Sequence, residues 1–318
     1  MTQCQEKTLC AEFGAEMRKV LPYILLQVFM VSCVKLTPEV RTSTTPVPSP
    51  THTQTVMPEP TFTRTVTPSP SPEPQCNSHK GHIEETSYPG VVVEGDVPVR
   101  LYLPPCYEFS TSHYPVLYVL HGYPLDEMHW EDLGIIQTVE EGFLEGTWEP
   151  FLVVMPRIPD PLNTKTDGGP GSYEEEMLSG LIPYVEGHYR TIGSKTSHAL
   201  AGVSRGGVWA LEIGFRNADW FDIVAALSPA LHVNQPRPAY DPFNLVRSET
   251  ELPSHIFLSA AESEAGFRIK TEELSQLLDT RGIQHSYLLT PGVHEDATWQ
   301  AIMQDLILFI TSAWELLS

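Results

Sequence analysis

The stretch Ala201-Gly202-Val203-Ser204-Arg205-Gly206-Gly207 leaves the chain around it little freedom. It follows the apolar run Ser197-His198-Ala199-Leu200 and precedes Val208-Trp209-Ala210-Leu211-Glu212-Ile213-Gly214-Phe215, which reads as a helix. A Gly-x-Ser-x-Gly pattern between strand and helix puts the serine on a very tight turn. Backbone geometry at such a serine is strained, and neighbours without a Cβ let the helix pack close to the strand it has just left. The hydroxyl then projects from the top of a sheet, in front of the unpaired N–H groups of a helix N-terminus. A five-residue pattern with three fixed positions also arises by chance, so the rest of the chain must carry the argument.

From Cys76 onward, strand and helix patterns alternate. Gly81 to Val93 and Val97 to Leu103 read as two opening strands that pair as a hairpin-like unit. Tyr114 to Leu120 and Phe151 to Met155 are continuous apolar runs, as expected of strands covered on both faces. A helix is predicted from about Tyr173 to Tyr189, with a kink at Pro183. After the Ser204 turn come strands at Ile223 to Leu227 and His255 to Leu258, a helix over Thr271 to Thr280, a strand at His285 to Leu289 and a closing helix over Thr298 to Leu317. Such alternation over some 240 residues predicts an α/β domain with one mainly parallel, doubly wound sheet and helices on both faces.

A serine hydroxyl is a weak nucleophile at neutral pH unless an imidazole takes its proton and a carboxylate holds that imidazole in the right tautomer. In α/β hydrolases the three groups follow in the order Ser, acid, His. His294 stands between the last strand and the last helix, whereas His198, His255 and His285 sit within or beside strand patterns. The strand ending at Ser259 runs into Ala260-Ala261-Glu262-Ser263-Glu264, so Glu264 is the first candidate for the acid and Glu262 the reserve. An oxyanion hole needs two backbone donors. The N–H of Arg205 follows the serine directly, and the N–H of Tyr123 stands in His121-Gly122-Tyr123-Pro124, at the end of another strand.

These motifs together resemble the putative-esterase group of α/β hydrolases, which includes esterase D, feruloyl and acetyl-xylan esterases, enterochelin esterases and mycolyl transferases. The resemblance rests on Tyr118 to Tyr123 with Trp130, on Gly202 to Gly207, and on Pro291-Gly292-Val293-His294 with Trp299, and it covers about residues 80 to 316. It implies an α/β-hydrolase fold, Ser204 as nucleophile, His294 as base, and Tyr123 and Arg205 as oxyanion donors. One departure concerns the acid. The group usually carries Gly-x-x-Asp where this chain has Ala261-Glu262-Ser263-Glu264. The expected activity is hydrolysis of a carboxylic ester through an acyl-enzyme, on a small-molecule or carbohydrate-linked substrate. Its rivals are an acyltransferase with the same triad and a non-catalytic, surface-displayed binding module. No cofactor is expected, and no metal-ligand spacing rises above background.

Specificity is expected from three insertions, Pro124 to Gly134, Pro156 to Gly171 and Pro229 to Pro242, because loops on a rigid scaffold carry substrate choice. His121, Trp130 and Trp299 are candidates to line the substrate site, and Tyr173 offers a further aromatic surface. For each aromatic, packing in the core is the competing role.

The first 75 residues are of another kind. They hold 11 of the 29 prolines and six residues of each charge sign, which leaves 13 basic and 34 acidic residues for the remainder. So acidic a domain argues against nucleic acid as a partner. Met17-Arg18-Lys19 and the apolar run Val20 to Val31 have the form of a secretory signal, and the run is too short to span a bilayer. Residues 1–33 therefore read as an export segment. Glu6, Glu12 and Glu16 do not suit its start, so translation is expected to begin at Met17. Ser32-Cys33 resembles a lipobox, in which Cys33 is lipidated and becomes the membrane anchor of an exported cell-surface lipoprotein; the competing reading is a plain signal peptide on a secreted chain. Residues 34–75, rich in Thr, Pro and Ser, cannot bury enough apolar surface to offset ordering entropy and read as a disordered stalk. Residues 76–318 form the folded domain, in which Cys76 and Cys106 are the two cysteines; export suggests a disulfide between them, against the alternative of two buried thiols.

Overall fold

The computed structural model describes Cys76, Ser78 and residues 80–317 apart from Thr166 and Thr250. The export segment, Cys33 and the stalk lie outside the described residues. The described residues open with β1 (His82–Pro89) and β2 (Asp96–Leu103), an antiparallel pair with His82 opposite Leu103. Next come β3 (Val116–Leu120), the short α1 (His129–Asp132), α2 (Ile135–Glu145) and β4 (Leu152–Pro156). A helical stretch follows, made of α3 (Tyr173–Glu175), a π-helical segment (Glu176–Leu181) and α4 (Ile182–His188). Then β5 (His198–Val203) leads into α5 (Arg205–Arg216), and β6 (Ile223–Leu227) precedes α6 (Pro242–Ser248). The chain closes with β7 (His255–Ala261), α7 (Ala265–Thr280), β8 (Ser286–Thr290), α8 (Asp296–Ala301) and α9 (Met303–Leu317).

Among the described residues eight strands form one sheet in the order β1-β2-β4-β3-β5-β6-β7-β8. β2 pairs antiparallel with β1 and β4, and every other pairing is parallel. Successive side chains of a strand face opposite sides, and here both sides are apolar. Val116, Tyr118 and Leu120 of β3 join a core with α3 to α7, while Leu117 and Val119 join another with α1, α2, α8 and α9. The α/β-hydrolase fold expected from the sequence is therefore present, with helices on both faces.

Several boundaries differ from the sequence reading. Pro183 stands within an unbroken helical run, in the first turn of α4 and directly after the π-helical segment Glu176–Leu181, which departs from the regular α-helix predicted there. The closing helix starts at Asp296 rather than Thr298 and breaks at Ile302. α7 begins at Ala265, six residues before the predicted Thr271. Cys76 and Cys106 are joined in a disulfide, with Cα atoms 5.6 Å apart.

Candidate active site

Ser204 stands between β5 and α5 at φ 55° and ψ −114°, a left-handed φ that strains any residue with a Cβ. Backbone bonds from both sides hold it there. Its N–H donates to Leu227 O (2.9 Å), and its carbonyl accepts from Ala230 N–H (3.0 Å), so the end of β6 braces the turn. Gly206 is needed for close approach: a Cβ there would lie 2.1 Å from Leu120 O and 2.6 Å from His121 O. Both contacts are backbone of the β3 end.

Three side chains converge from the C-terminal ends of β5, β7 and β8. His294 follows β8, and its Nε2 lies 2.9 Å from Ser204 Oγ. Its Nδ1 lies 2.8 Å from Glu264 Oε2, in the turn after β7. The carboxylate fixes the ring proton on Nδ1, which leaves Nε2 to accept the serine hydroxyl. Glu264 itself is fixed because its other oxygen accepts Ala261 N–H at 2.6 Å, and its side chain is 1% exposed. Glu262, the reserve, is exposed, and His294 Nδ1 bonds Glu264 instead. The His294 ring is held on two sides, stacked on Phe267 (centroids 3.6 Å apart, 20° between planes) and edge-to-face with Trp299 (4.9 Å).

The sequence named the N–H groups of Arg205 and Tyr123 as the candidate oxyanion donors. Arg205 opens α5, so its N–H has no partner within the helix. Its side chain turns away to donate to Asn234 Oδ1, and Asn234 in turn donates to buried Glu212 (3.1 Å), whose carboxyl burial pushes well above the usual range. The β3 loop lies alongside: a Cβ on Gly122 would stand 3.4 Å from Ser204 Cβ. Tyr123 follows, its side chain exposed to solvent.

His121 and Trp130 were expected to line the substrate site, and both are instead buried. His121 is 1% exposed and bridges two loops, with Nδ1–H donating to Gly122 O (2.9 Å) and Nε2 accepting Ile158 N–H (2.8 Å). Burial lowers its pKa to about 4, which keeps it in that neutral tautomer. Trp130 belongs to the core between β3 and α9, and Tyr173 packs edge-to-face on Trp209 at 5.8 Å. Of the three expected lining residues, Trp299 does line a cavity of about 460 Å³, together with Gly122, Tyr123, Pro124, Leu125, His129, Ser204, His294, Glu295, Asp296 and Ala297. The insertion Pro124 to Gly134 thus contributes to the mouth. The other two insertions interlock, through Asp167 Oδ2 with Arg237 Nε (2.6 Å), and neither lines this cavity. His129 and Phe267 were not singled out in the sequence. His129 is hidden beside the more conspicuous Trp130, and Phe267 falls in the part of α7 read as loop. Among the described residues no group of acidic, His and Cys side chains has the grouping of a metal site.

Comparison with known proteins adds a family match. Residues 91–310 match the model described as Putative esterase. An endo-1,4-beta-xylanase/feruloyl esterase of Xylanibacter ruminicola is 25% identical over 202 residues, covering 61% of this chain and 26% of that protein. An esterase of Mycobacterium tuberculosis is 31% identical over 122 residues, covering 36% of this chain and 25% of that protein. The matches thus take in about a quarter of these relatives' own length. A ferulic acid esterase of Anaeromyces mucronatus, solved in complex with ferulic acid, superposes with a TM-score of 0.62 at 24% identity, over 77% of this chain and 94% of that one.

Proposed function

Since the chain belongs to the Putative esterase family, we propose that it is a serine hydrolase acting on carboxylic esters through an acyl-enzyme. The observation that carries this reading is the unbroken line from Ser204 Oγ through His294 to Glu264, with 2.9 Å and 2.8 Å steps, at a serine with left-handed φ.

In the first half-reaction Ser204 Oγ attacks the ester carbonyl while His294 Nε2 accepts the hydroxyl proton. The negative charge that develops on the carbonyl oxygen is met by the N–H groups of Arg205 and Tyr123. His294 then gives its proton to the departing alcohol, leaving acylated Ser204. Water repeats the sequence on the acyl-enzyme, deprotonated by His294, and releases the acid. Glu264 remains a carboxylate, stabilising the imidazolium formed at each step. Ser204→Ala should lower kcat/KM for a p-nitrophenyl ester by at least about 10⁴-fold with an unchanged circular dichroism spectrum. Activity within tenfold of the wild type would refute the assignment.

For the acyl group we propose an aromatic acid ester of the feruloyl type. Support comes from the apolar flank of the cavity, Tyr123, Pro124, Leu125 and Trp299, and from the ferulic acid esterases among the relatives. A panel of acetyl, feruloyl and longer acyl esters tests it, and a preference for acetyl over feruloyl would overturn it. We further propose that the enzyme is exported and tethered through lipidated Cys33. The sequence of the export segment supports this, as does the disulfide, a bond that persists in oxidising compartments. Metabolic labelling with palmitate, lost in Cys33→Ala, is the check.

A further inference from the structure

His129 is a buried titratable side chain that the acyl-transfer steps leave unused, yet it lines the same cavity as Ser204. Gly122 N–H donates to its Nδ1 at 3.3 Å, and its Nε2 lies 3.2 Å from Asp296 Oδ1. An Nδ1 that accepts requires the ring proton on Nε2, where Asp296 receives it, so the exposed carboxylate selects the tautomer. The ring also packs edge-to-face on Trp299 at 6.0 Å, which places one indole against both His129 and His294.

The peptide that this histidine reaches is the one before the proposed oxyanion donor. In a trans peptide the carbonyl and the following N–H point in opposite directions. Gly122 O accepts from His121 Nδ1–H and from Leu125 N–H, both at 2.9 Å, which aims Tyr123 N–H away from them. Gly122 has no Cβ to bias its own dihedrals, so the plane of the residue is fixed by hydrogen bonds at its two ends. His129 supplies the bond at the N–H end. The groups facing it are Asp296 from α8, Asp132 from α1, Asp126 from the preceding turn and His121 just after β3, and burial outweighs the three carboxylates in disfavouring its charged form.

We propose that His129 is a positioning residue for ester hydrolysis: held as the Nε2–H tautomer by Asp296, it accepts Gly122 N–H and so keeps Tyr123 N–H aimed at the oxyanion. The inference rests on the esterase reading of Ser204. An interaction felt only when negative charge develops changes kcat and leaves KM. His129→Phe retains the ring and its packing on Trp299 but offers no acceptor. His129→Asn retains an acceptor near the Nδ1 position. Asp296→Asn, at an exposed position, weakens the choice of tautomer without touching the fold.

The test is hydrolysis of p-nitrophenyl butyrate by the full chain and these three variants, with thermal melts in parallel. Expected are a kcat reduced roughly 30-fold or more in His129→Phe with KM within twofold, recovery to within about fivefold of wild type in His129→Asn, and a fall of about threefold to tenfold in Asp296→Asn. If His129→Phe fails to fold, the Asp296→Asn and His129→Asn results decide, together with the nitrogen NMR signature of a neutral Nε2–H ring at His129 in the wild type. Wild-type kcat in either His129→Phe or Asp296→Asn, equal losses in His129→Phe and His129→Asn, or a proton on Nδ1 would overturn the inference while leaving the esterase reading intact. A wild type no faster than Ser204→Ala would instead remove the esterase reading and this inference with it.

Discussion

Glu262 and Glu264 stand two positions apart with opposite surroundings. Both follow the same strand and both are glutamates, so neither composition nor spacing separates them; burial does. Glu264 lies beneath His294 with one oxygen on a backbone N–H and the other on the imidazole, and Glu262 faces water. Glu264→Gln, which no longer favours the Nδ1–H tautomer, should lower kcat by about 10³- to 10⁴-fold, whereas Glu262→Gln should stay within about twofold; steady-state kinetics on one ester separates them. His121 gives a prediction of another sort. Its folded pKa of about 4 lies below the unfolded value near 6.5, so the unfolded chain takes up the proton first as pH falls. Its contribution to stability is complete above pH 6.5 and is lost towards pH 4, amounting to about 3 kcal/mol. Urea unfolding at pH 7 and 4.5 should therefore show a steeper loss in the wild type than in His121→Gln. The sequence made Ser204, His294 and a glutamate legible because they follow one another in the order found in α/β hydrolases and each stands just after a strand. It misassigned His121 because a polar ring at a strand end reads equally as substrate contact or as a loop brace, and only burial distinguishes these.

Among the elements, the strands were the most legible, since residues 116–120, 152–156 and 223–227 are buried on both faces and uniformly apolar. The helices were less so, for local reasons. α2 has a narrow apolar stripe and carries Gly142, a residue that weakens helices; Trp148 occupies the space that a Cβ there would need, 1.9 Å from its ring. The first turn of α7 contains Gly266, where a Cβ would lie 2.7 Å from the His232 ring, and its buried positions begin only at Thr271. In both helices a tertiary contact selected glycine against local propensity. A contact of this kind near the site joins α5 to the end of β3 at Gly206. Gly206→Ala should destabilise the domain by about 2 kcal/mol or more and reduce turnover, because the added methyl group meets backbone rather than a movable side chain. Gly187→Ala in α4, where a Cβ meets nothing within 4 Å, should be neutral or stabilising by about 0.5 kcal/mol. Thermal unfolding of the pair, with ester turnover in the same samples, compares the two.

For the whole molecule, the sheet gives the site its integrity and the disulfide secures the sheet's antiparallel end. The Cys76–Cys106 bridge closes a separation of 30 residues. Chain-entropy arguments give such a loop roughly 3–4 kcal/mol, and measured values are often smaller. Reduction should lower the melting temperature by several degrees and leave kcat at 25 °C unchanged, since the triad stands elsewhere. Strand polarity says where. β2 runs against β4 with Tyr102 opposite Val153, so Leu103 and the bridge lie at the end of the sheet where the parallel strands begin. Ser204, Glu264 and His294 stand where those strands finish. The point at which the domain joins the preceding residues, Cys76, is thus at the end of the sheet opposite Ser204, so a support coupled through the chain ahead of Cys76 leaves the mouth uncovered. Resin-coupled enzyme attached there should match the free enzyme in kcat/KM, even towards esters carried on polymers too large to enter a gap between protein and support.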